Sequence, residues 1–135
     1  MSINVINPVT VHSTDGYCYS HAVQMGGLIF VAGEVAQDER GQLVGEDDIR
    51  VQTRQVFRNL ALVLTAGGSG LDLVGKLTVF TTAFAYRSII HEVRREYFEP
   101  IGHYPASTLA VVTSLANPLW LVEIEAVATV RTAGL

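Results

Sequence analysis

Glu123 and Glu125 are the pair of acid groups in this chain whose spacing most suggests chemistry, standing two residues apart in a run that alternates from Trp120 to Arg131. An extended strand points successive side chains to opposite faces. Trp120, Val122, Ile124, Ala126, Ala128 and Val130 therefore share one face, and Leu121, Glu123, Glu125, Val127, Thr129 and Arg131 the other. Two carboxylates roughly 7 Å apart on one face of a strand repel each other. They need water, a cation, or a role that tolerates a raised pKa. A solvent-facing sheet would meet that need. The apolar Leu121 and Val127 beside them suit a mostly covered face instead, where a carboxylate borders a cavity or an interface.

Other chemistry has weaker signals. His12, His21, His91 and His103 show neither helical pairing nor neighbouring Cys ligands, so no metal site is expected. The run from Gly67 to Gly70 follows a helical pattern instead of leading into one, and it lacks the Lys of a phosphate-cradling loop. No Gly-x-Ser-x-Gly elbow occurs, and Cys18 between Tyr17 and Tyr19 reads as a small strand residue rather than a nucleophile. Nothing calls for a metal or an organic cofactor.

The elements that must position these groups follow from periodicity. Residues 3–10 read as an edge strand, because Pro8 cannot donate to a ladder. Residues 13–16 read as a turn. Residues 17–23 and 28–35 read as two strands joined at Gly26-Gly27, with Gly33 marking a bulge or a close backbone approach. A polar loop over 37–48 offers Asp47 or Asp48 as an N-cap. Ile49, Val56, Phe57, Leu60, Val63 and Leu64 form one helical stripe over 49–66, and Gly67-Gly68 stops it. Arg50, Arg54 and Arg58 on its other side read as a solvated face. A β-rich run spans 73–84, and a second helix spans 88–98, with Ile90, Val93 and Tyr97 inward and Pro100 ending it. Two apolar runs from Tyr104 onward, broken at Ala116 to Pro118, read as two strands joined by a turn. The order predicts an α+β domain over 1–135, with two helices covering one face of a mixed sheet. The other face is left for another subunit to cover.

At 135 residues the chain can bury a core unaided. Apolar residues make up 49% and charged residues only 16%, against about 25% in ordinary domains. So little charge suggests surface hidden in an oligomer. A net charge of −4, without a basic run, disfavours nucleic acid as a partner. A single cysteine rules out an internal disulfide and fits a reducing cytoplasm. No apolar stretch is long enough to predict a signal peptide or a membrane span.

Several segments together resemble the RidA family of enamine/imine deaminases, also called the L-PSP endoribonuclease family. They are Tyr19 to Val23, Leu28 to Glu34, Gln52 to Gln55 with Asn59-Leu60, Lys76 to Phe80, Pro105 to Ser107, and Val122 to Ala126. The resemblance runs in order from about residue 17 to 130. It implies a chorismate-mutase-like fold, a homotrimer whose sheets form a central barrel, and small-molecule clefts at the subunit interfaces.

In active members an arginine after Pro-Ala binds the carboxylate of a 2-imino acid, the first Glu of the closing motif positions the hydrolytic water, and a Tyr lines the cleft. Carried over, these imply Glu123 and Tyr19 as catalytic residues. Ala32, Gly33 and Ser107 line the implied pocket, Tyr104 stands at its rim, and His21 and His91 are further members. The arginine is replaced by Ser107, the usual Cys two residues later by Leu109, and the usual Asn of the second helix by His91. Serine cannot form the bidentate pair a guanidinium makes with a carboxylate. Ordinary 2-imino-acid deamination is therefore expected near background. With Glu34 at a position often held by neutral Gln, the cleft is expected to be acidic and to favour neutral or cationic ligands. Glu123 should have a raised pKa, while Glu125 finds a separate partner. The readings left open are a hydrolase acting on an enamine or imine, a non-catalytic ligand-binding trimer, and a ribonuclease, the last disfavoured by the acidic balance of charge.

Overall fold

A computed structural model describes residues 2–132; Met1 and residues 133–135, the ends of the expected domain, lie outside the described residues. Six strands form one sheet in the order β1-β2-β3-β6-β4-β5, with β1 at Ile3–Ile6, β2 at Ala22–Met25, β3 at Leu28–Glu34, β4 at Val74–Thr81, β5 at Ala106–Val111 and β6 at Val122–Thr129. Only β4 and β5 run parallel; the other neighbours are antiparallel. The sheet is therefore mixed. Helices α1, Ile49–Ala66, and α2, Arg87–Phe98, make the second layer.

The first helix follows its sequence signals closely. Asp48 accepts a hydrogen bond from the Val51 amide at 3.0 Å, and the chain leaves the helix at Gly67 and a left-handed Gly68 (φ 77°). Val56, Phe57, Leu60, Val63 and Leu64 are buried against β3 and β6. Each such side chain contributes about 1.5–3 kcal/mol on leaving water. Phe57 also stacks on Tyr97 at 5.3 Å and meets Phe98 edge-on at 5.8 Å, which joins the two helices. The arginines expected to be solvated are partly engaged. Arg50 pairs with Glu92, and Arg54 grips Glu96 through Nε at 3.0 Å and Nη2 at 2.8 Å.

Three expectations are corrected. The strand expected over 17–23 starts only at Ala22, because Cys18 has a left-handed φ of 62° and the Tyr17 amide donates to the Thr14 carbonyl at 3.0 Å. A turn occupies the first half of that segment. Strand β1 stops at Ile6, two residues short of Pro8, although it is an edge strand as expected. The last two strands are not a hairpin either. After β5 completes the sheet edge beside β4, the chain crosses over β4 and inserts β6 between β4 and β3.

Between β3 and β6 the register slips by one residue, from Val31 opposite Ala126 to Glu34 opposite Ile124. That slip is a bulge at Ala32-Gly33, and it turns Glu34 to the helix-covered side. The helix-free face carries Val5, Phe30 and Val127 in paired register, with Phe30 still 40% exposed.

Candidate active site

Glu123 sits on the helix-free face of β6, half-buried, and packs so tightly on the bulge that a Cβ on Gly33 would lie 2.8 Å from its Cγ. A side chain at Gly33 would have to displace the carboxylate, which occupies that space. Glu123 and Gly33 belong to the wall of an open cavity of about 810 Å³, together with Ala32, Tyr19, His12 and Trp120. Burial, reinforced by the charges of Glu125 and Glu34, pushes the Glu123 carboxyl above its usual range. The Tyr19 hydroxyl is likewise raised by burial and by the nearby glutamates, so it stays protonated at neutral pH. A carboxylate made more basic than usual and a phenol that keeps its proton line one cavity.

Two buried side chains of α1 hold the loops around that cavity. Gln52 donates to the Leu119 carbonyl at 2.9 Å and accepts from the Leu121 amide at 2.8 Å, which fixes the entry to β6. Asn59 donates to the carbonyls of Val35 at 3.0 Å and Gln37 at 2.9 Å, which fixes the exit from β3.

His21 and Glu34 lie beneath the cavity instead of in its wall, each 1% exposed. His21 Nδ1 meets Glu34 Oε2 at 2.9 Å, and His21 Nε2 donates to the His12 carbonyl at 2.7 Å. The His21 ring lies 6.3 Å from Tyr19 and 4.6 Å from His12, edge-on to both. Glu34 is raised by burial, which outweighs its bond to His21; His21 is raised as well, because the bond and charge of Glu34 outweigh its own desolvation. The buried pair thus holds a proton over a wide pH range, and the acidity expected of Glu34 in the cleft is spent on His21.

Ser107 and His91 do not join that cavity within one subunit. Ser107 pairs in register with Leu77, on the helix side of β5, and lines a second cavity of about 440 Å³ with His91, Arg94, Arg87 and Leu109. Tyr104 is exposed and lines neither cavity. Glu125 lies in a shallow groove with Lys76 and Thr78, and no ion-pair partner for it occurs among the described residues. The separate partner expected for Glu125 is therefore not within the subunit.

Sequence reasoning did not single out His12 or Trp120 as cavity residues, and it missed Arg87 and Arg94 altogether. Arg87, His91 and Arg94 are spaced by four and three, one helical face pointing at β5, and that spacing was a readable signal. Among the described residues no group of three or more His, Cys, Asp or Glu side chains is placed to hold a metal ion. No helix among the described residues is long and apolar enough to cross a membrane.

The family model for Endoribonuclease L-PSP matches residues 15–130. A RutC family protein of Pyrococcus horikoshii is 36% identical, covering 82% of this chain and 85% of that protein. A 2-iminobutanoate/2-iminopropanoate deaminase of Dermatophagoides farinae is 29% identical over 84% of this chain and 86% of its own. The crystal structure of YyfA, a protein of the conserved Rid family from Yersinia pestis, superposes with a TM-score of 0.89 at 33% identity, covering 96% of this chain and all (100%) of that one.

Proposed function

From the premise that the chain belongs to the RidA/L-PSP family, we propose that it is a hydrolytic deaminase of small enamines or imines. The observation that carries this reading is Glu123 itself, a carboxylate with a raised pKa held against Gly33 at the wall of an open cavity. The deaminase relative from Dermatophagoides farinae supports the same class of chemistry.

The reaction needs a base for water and an acid for nitrogen. On the protonated imine, Glu123 accepts a proton from water as its oxygen bonds to the carbon, giving a neutral carbinolamine. Tyr19, which keeps its hydroxyl proton, steadies the nitrogen. Glu123 returns that proton to nitrogen, and the C–N bond breaks as the carbinolamine hydroxyl gives its own proton to Glu123, releasing ammonia and leaving a carbonyl; Glu123 then loses the proton to solvent. An enamine enters the same path after its carbon is protonated, which gives the protonated imine directly.

We further propose that the working cleft forms between subunits of a homotrimer, where the Glu123 cavity of one copy faces the Ser107 cavity of the next. The apolar, helix-free face and the separation of these two cavities within one subunit support that arrangement. The lone, exposed Cys18 suits a reducing cytoplasm.

The test follows ammonia release from imines generated in situ by an amino-acid oxidase, together with uncharged enamines. Wild type should accelerate hydrolysis of at least one class, and Glu123→Gln should slow it about 100-fold, the lower range for a lost acid/base group. Unchanged rates in the variant, or no acceleration of either class, overturn the reading. Ser107, without a guanidinium, favours one second reading, a ligand-binding trimer that does no chemistry. Saturable binding of the products with no hydrolysis would select it.

A further inference from the structure

His21 is held at four polar atoms, and two of those bonds fall on the bulge that seats Glu123. Its backbone N–H donates to Asn7 Oδ1 at 2.8 Å, and its carbonyl accepts from the Ala32 amide at 2.8 Å. Its ring meets Glu34 Oε2 through Nδ1 at 2.9 Å and the His12 carbonyl through Nε2 at 2.7 Å. Ala32 and Glu34 flank Gly33, the residue against which the Glu123 carboxylate packs. One histidine therefore grips both sides of the seat on which Glu123 rests.

The ring contacts fix where protons must be. A carbonyl oxygen only accepts, so Nε2 carries a hydrogen. With Nδ1 bare and Glu34 ionised, two lone pairs would face each other at 2.9 Å between groups each 1% exposed. The contact holds only with one proton between Nδ1 and Oε2, and on either atom it leaves the couple net neutral. Glu34 Oε1 is sequestered without a partner among the described residues, which costs less when the carboxyl shares a proton than when it stands as a bare anion. We propose that His21 and Glu34 are positioning residues for Glu123, clasping the Ala32-Gly33 bulge through one shared proton, and that loss of this proton at alkaline pH opens the clasp and displaces the Glu123 carboxylate. The ionisable groups around the couple are His12, edge-on at 4.6 Å, Tyr19, edge-on at 6.3 Å, and Glu123 across Gly33, with Glu39 and Arg40 lining the cavity that Glu123 walls. The polar side chains that α1 buries, Gln52, Thr53 and Asn59, are uncharged. Glu34 is raised by burial, and His21 is raised despite its own desolvation by the bond and charge of Glu34, which keeps the shared proton in place at neutral pH. An unfolded histidine gives up its proton near pH 6.5, so the stability of the clasp is complete below that value and lost as pH rises through the folded one.

The effect on rate rests on the deaminase reading, whereas the clasp is a property of the resting protein and is measured there first. With isotope-labelled histidine in the assembled protein, the His21 ring should show one alkaline transition in which Nδ1 becomes a bare acceptor. Over the same pH range the exchange protection of the Ala32 amide should fall at least about tenfold beyond ordinary base catalysis. In Glu34→Gln the side-chain amide donates to Nδ1 with no shared proton to lose, so both changes should disappear. A merely structural contact would lower stability alike at every pH and leave the pH dependence of these signals unmoved. A His21 transition without loss of Ala32 protection overturns the clasp in the wild type alone, whether or not the variant folds. So does the absence of a transition before alkaline unfolding, or one that persists in Glu34→Gln. The ratio of the variant's kcat to that of the wild type, in which titration of the imine itself cancels, should climb at least about tenfold across the transition. A flat ratio overturns the positioning role. No hydrolysis of any imine or enamine by the wild type overturns the deaminase reading alone, because the ring and amide signals are read without substrate.

Discussion

His12 shows how burial sets the chemistry of a single residue. Desolvation, followed by the charge of His21, lowers its pKa from 6.5 to about 4. The unfolded chain takes up a proton as pH falls below about 6.5, but the folded chain refuses it until about 4. Stability attributable to His12 is therefore present above pH 6.5 and lost progressively between these values. His21, raised by its partner Glu34, works in the opposite direction, so the measurement must be made at the residue. The ring signals of His12 should titrate near pH 4. His12→Phe, which keeps an edge-on ring and removes the unpartnered Nδ1, should flatten the acid limb of stability. Of the site, Glu123 was legible from strand alternation and the motif together, Gly33 from a glycine inside a strand and the motif, and Tyr19 and Ala32 from the resemblance alone. Glu34 was not. Period-two alternation places it beside Phe30 on the open face, and only the bulge, which alternation cannot foresee, turns it inward onto His21. Arg94 was hidden by its own type, since an arginine on an exposed-looking helix reads as solvated until the orphaned guanidinium is seen.

Among the elements, β3 and α1 do most to position Glu123. Gly33→Ala should cost about 1–3 kcal/mol through overpacking and displace the Glu123 carboxylate, since the new methyl must share its space. Hydrolysis should fall with it, and a denaturant titration beside the ammonia assay checks both. Gln52→Leu is nearly isosteric but strands the buried Leu121 amide and the Leu119 carbonyl. Its expected cost is about 1–3 kcal/mol for each buried group left unpaired. An unchanged denaturation midpoint would show that water replaces the side chain. The helix α1 was legible to the residue because capping, stripe and stop signals agree along one short segment. The pairing of β5 and β6 was not. Turn residues at Ala116 to Pro118 suggest a hairpin, but strand order is decided by which edges remain open, and β6 fits between β3 and β4 where both of its sides are paired. The segment at Tyr17 to Tyr19 misled for a local reason, because its β-forming side chains sit on a turn set by the left-handed Cys18.

On the scale of the molecule, the helix-free face needs an explanation that one subunit does not supply. Val5 on β1 is 61% exposed and Phe30 on β3 40% exposed, with Val23 of β2 in register between them, and Val127 continues the same row. A row of apolar side chains across a sheet gains by leaving water, at about 25 cal/mol per Å² removed. A second copy of the chain can supply that cover and also bring its own Ser107 cavity near Glu123, so assembly and activity should fail together. Sedimentation equilibrium at micromolar concentration should report a trimer, with each contact burying more than the roughly 1,000 Å² typical of a specific interface. Phe30→Asp introduces a charge into the proposed contact while leaving the helix-covered core, centred on Phe57 and Leu60, untouched. The variant should sediment as a folded monomer, retain its far-ultraviolet dichroism, and lose hydrolysis at protein concentrations where wild type is active. A monomeric Phe30→Asp that still hydrolyses imines at the wild-type rate would place the whole site within one subunit, in the Glu123 cavity alone.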